Sequence, residues 1–358
     1  MPTVPPAGAG PTSPTRIVLL DELTPPIERA TVADPFRVVP SGVAPRTETA
    51  DYVVVDSFEQ ADVAALPVHW DVYGTTHRHE ARASIEQARS HGLKTVIWVN
   101  GDHEADIGAP DTLQFQLAAA RQRPGRMAAM ACYPVFIDDP GDGPVDRAVG
   151  SRPRVGFCGQ GDERTLAAAA STARKLNDRL QHRLGRREHL PEPLASHVRL
   201  RRRVLAELSR SPLVDDDFIV HDRYRAGLVD QQARRDPNEP TNQAFRANIT
   251  ATDYTVCVRG GGNFSTRLYE TMALGRIPIL IDTGGLLPWD RQLPWEDLTV
   301  RVPAAQIGDL AAIVADRHRT LGPDGVRDLQ QRCRETWVRW LTLEGFFSRF
   351  GALVRTSR

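Results

Sequence analysis

The stretch from Tyr254 to Gly285 constrains the fold of this chain more than any other. Tyr254 to Val258 is short, apolar and β-branched, which predicts a buried strand. Arg259 stands at the strand's end. Gly260, Gly261 and Gly262 follow, where the backbone can approach a ligand with no side chain in the way. Ser265 or Thr266 can cap the next helix, and the open N–H groups of a helix start favour an anion, usually a phosphate. Arg267 and Glu270 are three apart and share one helix face. Gly275 ends that helix, and Ile277 to Ile281 forms the next strand, with Pro278 near its start. Asp282, Gly284 and Gly285 lie just past its carboxyl end, where open parallel sheets bind ligands.

The rest of the chain repeats this alternation. Arg16 to Leu20, Asp51 to Asp56, Val63 to Leu66, Lys94 to Val99 and Met127 to Phe136 read as strands; His77 to His91 reads as a helix closed by Gly92. Leu113 to Arg123 fits either a strand or a helix. Asp138 to Pro153 has the composition of a linker, and Arg154 to Cys158 opens a second set of elements. Helices are expected over Arg164 to Arg187, Val198 to Ser209 and Phe245 to Ala251. Phe218 to Val220 and Leu298 to Val302 are read as strands, Ala305 to His318 as a helix, and Pro323 to Phe350 as a long helical region broken near Leu343 to Gly345. Arg199, Arg201, Arg202 and Arg203 read as a solvated helix face. Such spacing implies parallel, doubly wound α/β sheets.

Lys+Arg and Asp+Glu both number 45 in the 358 residues, so the chain lacks the basic excess of a nucleic-acid binder. The four cysteines are scattered without CxxC pairing, which argues against a zinc site or a disulfide framework. No run is long and apolar enough to span a membrane, and residues 1–15 lack the charged start and apolar core of a signal peptide. The expected location is cytoplasmic, with the sequons at Asn248 and Asn263 as chance matches.

Arg259 and Gly260, then Ser265, Arg267 and Glu270, Gly275 and Pro278, and finally Leu287, Pro288 and Trp295 resemble, in order and spacing, the carboxy-terminal half of exostosin-type glycosyltransferases. Fainter likeness extends to Ala61–Val68 and Arg154–Gly159. The family's secretory anchor and cysteine-rich extras are missing, so the resemblance is to a compact bacterial-type member, and the animal enzymes' heparan substrates do not carry over. It implies the GT-B architecture: two Rossmann-like doubly wound domains facing a cleft. Residues 1–15, rich in Pro, Gly, Ala and Thr, read as a disordered lead-in; the boundaries implied after it are an acceptor-side domain over 16–145 and a nucleotide-sugar-binding domain over 146–335. A helix over 336–358 would return to the first domain.

The resemblance also implies inverting transfer of a sugar from a nucleotide-sugar donor, a UDP- or GDP-sugar, to a glycan or small-molecule acceptor. Gly260, Gly261, Asn263, Ser265, Thr266, Arg267, Glu270 and Asp282 join Arg259 as the donor-binding set. Arg259 and Arg267 would neutralise the diphosphate with forked donors, so that no metal or other cofactor is required, and Glu270 would accept from ribose hydroxyls. The base is expected on an amino-half loop past a strand end: Asp102 and His103 fit best, His69 and Asp71 next. Trp289 and Trp295 are expected to pack rather than stack on a sugar. Two other readings stand beside this one. His69, Asp71, His77, His79, Asp102, His103, Glu104 and Asp106 crowd the amino half, as in a metal hydrolase, although no histidine pair has the i, i+4 spacing of a zinc helix. A nucleotide-sugar-binding scaffold that has lost its base would need Arg259, Arg267 and Glu270 alone.

Overall fold

The structure is a computed structural model that describes residues 13–20, 51–74, 77–105, 107–121, 129–141, 147–161, 165–186, 189–191, 196–223, 236 and 238–356. Two parallel sheets carry it. The first holds β1 (Thr15–Leu19), β2 (Tyr52–Val55), β3 (Val63–Ala65), β4 (Thr95–Val99), β5 (Thr112–Gln116) and β6 (Ala129–Cys132), in the order β2-β1-β3-β4-β5-β6. The second holds β7 (Arg154–Gln160), β8 (Asp215–His221), β9 (Tyr254–Cys257), β10 (Ile277–Asp282) and β11 (Val300–Pro303), in the order β11-β10-β9-β7-β8. Every strand pair in both sheets is parallel. The order reverses between β1 and β3 in one sheet and between β7 and β9 in the other, which makes those crevices the expected ligand sites.

Burial explains why these segments are strands. All five residues of β4 and all four of β9 are buried, as when helices cover both faces of a parallel sheet. The helices are α1 (Arg78–Ser90), α2 (Thr165–Arg183), α3 (His197–Ser209), α4 (Pro240–Ala251) and α5 (Thr266–Ala273), followed by α6 (Trp295–Leu298), α7 (Leu310–Thr336), α8 (Leu343–Phe347) and α9 (Phe350–Thr356). Among the described residues, no helix is long and apolar enough to cross a membrane.

Several boundaries differ from the sequence reading. Thr15, assigned to the lead-in, is buried and starts β1. Thr112–Gln116 resolves as a strand, because its register on β4 buries every residue. β8 extends back through Asp215, Asp216 and Asp217; they sit on a sheet edge, where exposed charge is tolerated and discourages further pairing. α4 starts at Pro240, where Glu239 caps Asn242 N–H at 3.1 Å and proline suits the first turn. Leu298 ends α6 instead of starting a strand. The helices around Gly322 and Pro323 run on as α7 across a kink, with Gly322 at φ 64°. Asp106, one of the residues of the metal reading, lies outside the described residues.

The carboxyl ends of the two sheets face each other. Ala120 and Gly285 form an antiparallel bridge, flanked by Arg121 N–H to Gly284 O at 2.8 Å and Leu286 N–H to Ala119 O at 2.7 Å. A second bridge joins Ala105 to His189, beside Leu190 N–H to Glu104 O at 2.7 Å. Gly262 is a tight approach: a Cβ there would lie 2.2 Å from the Asp102 carbonyl, so glycine is required. Two Rossmann-like sheets meeting across a cleft in this way form the GT-B arrangement.

After α7 the chain makes a π-type turn over Trp337–Leu341 and returns to the first sheet. Phe346, Phe347 and Phe350 pack their rings around Trp98, and Phe346 and Phe350 also reach Phe115. Ala352 N–H donates to Asp51 Oδ2 at 2.9 Å, and the Arg355 guanidinium bonds Thr15 Oγ1 and, at 3.3 Å, Asp51. A Cβ on Gly351 would lie 2.1 Å from the Asp51 carbonyl, so the return fits only without a side chain there.

Candidate active site

The loops leaving β7 and β9, the two strands at the second sheet's reversal, wall a cavity of about 470 Å³. That volume suits a small organic ligand. Gly159 and Gln160 come from β7, Gly260, Gly261 and Gly262 from the β9 loop, Thr266, Arg267 and Glu270 from α5, and Arg201 from α3. Asp102 reaches the same cavity from the first sheet.

Arg267 is fixed by rings. Its guanidinium carbon lies 4.9 Å from the Phe157 centroid and 4.4 Å from that of Phe245. Such stacking holds a guanidinium plane in one orientation. A Cβ on Gly159 would meet the Arg267 nitrogens at 3.2 and 3.3 Å, so the absence of a side chain there lets the guanidinium lie along β7. Arg201 donates Nη1 to Gln160 O at 3.2 Å and Nη2 to Arg259 O at 3.1 Å, tying together the ends of β7 and β9. Of the two expected caps, Ser265 and Thr266, Ser265 occupies the N-cap position of α5 in extended conformation, but its side chain makes no cap hydrogen bond.

The structure brings Gly260, Gly261, Ser265, Thr266, Arg267 and Glu270 together around the cavity, with Asp102 opposite. It does not bring Arg259 there. Arg259 is buried, donates Nη1 to Gly260 O at 3.2 Å and lines a separate cavity of about 30 Å³ beside Asn263 and Asp282. Asn263 is engaged with Thr283, whose Oγ1 donates to Asn263 Oδ1 at 2.6 Å. His103 lies on the exposed part of the Asp102 loop and does not line the cavity. Trp289 and Trp295 are buried, their indole N–H groups donating to Trp340 O at 3.1 Å and Pro288 O at 2.9 Å, as expected of packed rings.

Sequence reasoning missed Arg201 by treating its arginine run as solvated. The signal was present: Val198, Arg201, Leu205 and Leu208 share one helical stripe, and the other three are buried. Phe157 and Phe245 were also missed, since nothing local marks a ring that will hold a distant arginine. At Cys158, also at the cavity, burial pushes the thiol pKa up, with only partial relief from Arg267.

Asp282 is committed to a clamp. It receives both Arg121, from the first sheet's side, at 2.6 Å and Arg301 at 3.1 Å, and also the Gly284 N–H at 2.8 Å. Burial pushes its carboxyl up, but Arg121, the Gly284 N–H and Arg301 outweigh this and hold it below the usual carboxylate range. A depressed folded pKa stabilises above the ordinary value near 4 and is lost as pH falls through the folded value. Asp282→Asn is therefore expected to cost about 1–3 kcal/mol at pH 7, a gap in urea unfolding that closes in acid where the parent is itself protonated. Nucleotide affinity should hold; if affinity falls while stability holds, the carboxylate is a ligand group after all.

For the metal reading, His77 Nδ1 instead pairs with Glu80 at 2.7 Å. Among the described residues, no three His, Cys, Asp or Glu side chains are grouped to hold a metal ion.

No family model matches the chain. A probable glucuronoxylan glucuronosyltransferase of Arabidopsis thaliana, IRX7, is 27% identical over 124 residues, which span 32% of this chain and only 28% of that protein. Two solved structures are distant likenesses. A glycosyltransferase from Rickettsia africae is 10% identical with a TM-score of 0.38, covering 96% of this chain and 98% of that one. A sucrose-phosphate synthase from Thermosynechococcus elongatus is 14% identical with a TM-score of 0.40, again covering 96% and 98%.

Proposed function

We propose that the protein is an inverting glycosyltransferase of exostosin-like type, moving a sugar from a nucleotide-sugar donor to an acceptor hydroxyl. The observation that carries this reading is the pair of guanidiniums, Arg201 and Arg267, at a glycine-walled cavity on the second sheet's reversal point. Two fixed cations and the amino end of α5 suit a diphosphate, whose charge grows as it leaves. This revises the sequence expectation: Arg201 takes the place given to Arg259. Glu270, one turn along from Arg267, accepts from the ribose hydroxyls. With two arginines supplying the charge, the reaction needs no divalent metal.

A melting screen of the full chain against UDP, GDP, TDP and CMP sugars, with and without EDTA, tests this reading. The partial likeness to a glucuronosyltransferase adds a nucleotide-linked glucuronic acid to the panel. A donor at about a hundred times its dissociation constant should stabilise the fold by about 2.7 kcal/mol, and EDTA should not change that. Binding without turnover of any donor would favour the scaffold. No shift with any nucleotide sugar, together with loss of stability in EDTA, would return the metal hydrolase.

A further inference from the structure

The first sheet has its own reversal point, between β1 and β3, and the loop leaving β3 carries Asp71. Its carboxylate is held from two sides. Oδ2 accepts the Asn100 N–H at 3.0 Å, just past β4, and Oδ1 lies 3.1 Å from His189 Nε2. His189 reaches over from the second half of the chain, anchored by its bridge to Ala105. The loop that grips Asp71 through Asn100 lines the large cavity two residues later, at Asp102, while Asp71 itself is outside that lining. Asp71 keeps 34% of its side chain exposed.

Among the described residues, the charged and titratable groups facing Asp71 are His189, His69 and Tyr133. Burial pulls the His69 pKa down and pushes the Tyr133 hydroxyl up, which keeps both neutral near pH 7. Burial pushes the Asp71 carboxyl up as well, but His189 and the Asn100 N–H outweigh it and leave it ionised. Asp102, by contrast, meets the second domain through its backbone carbonyl at Gly262.

We propose that Asp71 is the catalytic base of the transfer and that His189, from the opposite domain, is its positioning residue. This rests on the glycosyltransferase reading. The acceptor O–H gives its proton to the Asp71 carboxylate as its oxygen bonds the anomeric carbon. The bond from that carbon to the diphosphate oxygen breaks, and its electron pair leaves on the diphosphate beside Arg201 and Arg267. Because the carboxylate and its imidazole come from different domains, the base is complete only when the domains are together.

The test measures UDP or GDP release from UDP-glucose, UDP-glucuronic acid and GDP-mannose, with water as acceptor, and nucleotide affinity in parallel as a check of folding. Asp71→Asn should lower kcat by about 10²–10⁴-fold with diphosphate affinity within about twofold. Asp102→Asn should cost less than Asp71→Asn. His189→Gln should move the acid limb of kcat/KM to higher pH, since removing the imidazole relaxes the carboxylate toward its ordinary value. Full turnover in Asp71→Asn, the larger loss in Asp102→Asn, or an unmoved acid limb in His189→Gln overturns the assignment while the transferase reading stands. A parent protein that neither binds nor turns over these donors overturns both.

Discussion

Arg267→Ala should remove about half or more of the stabilisation that a nucleoside diphosphate gives the folded protein. A hydrogen-bonded ion contact to a phosphate contributes about 1.5–3 kcal/mol, so affinity should fall roughly 10- to 100-fold. At a ligand concentration that gives the parent about 2.7 kcal/mol, the variant would retain about 0.4–1.4 kcal/mol. The side chain also packs between Phe157 and Phe245, so loss of packing must be separated from loss of charge. Arg267→Met keeps most of the aliphatic stem and should bind as poorly as alanine. Arg267→Lys keeps the charge without the planar fork and should fall between. Calorimetric titration with UDP and GDP decides it: a folded Arg267→Ala protein with parental affinity removes Arg267 from the diphosphate site.

Phe350→Ala should cost about 3–5 kcal/mol, the range for truncating a fully buried ring. The ring touches Tyr52, Trp98 and Phe115 of the first sheet and Phe346 and Phe347 of the returning segment. The loss should therefore fall on the first sheet. Scanning calorimetry is expected to show its transition moving down and separating from one that still rises with bound nucleotide. A single transition within about 0.5 kcal/mol of the parent would mean that the returning helices dock without holding the sheet.

The α/β class was legible because buried parallel strands are short apolar runs and their connections announce themselves through glycine and helical period. The cavity loop from Gly260 to Glu270 was legible for the same local reasons. What the sequence hid is long-range. Arg259 and Arg201 are both arginines near a strand end, and only the packing of α3 across β7 and β9 decides which one faces the cavity. Asp282 looked like a ligand group because it follows a strand; Arg121, brought over by the bridge at Ala120, claims it instead. His189 lies in a stretch with no motif at all, and only the contact with Ala105 gives it a place.

The return of Phe346, Phe347 and Phe350 to Trp98 also has a consequence for biosynthesis. As the chain emerges from the ribosome, the first six strands appear long before the rings that cover them. At about 5–20 residues per second, Trp98 and Phe115 wait roughly tens of seconds for their cover. The amino half is thus translated early but finished late, and during that interval its apolar face is a natural client for a chaperone.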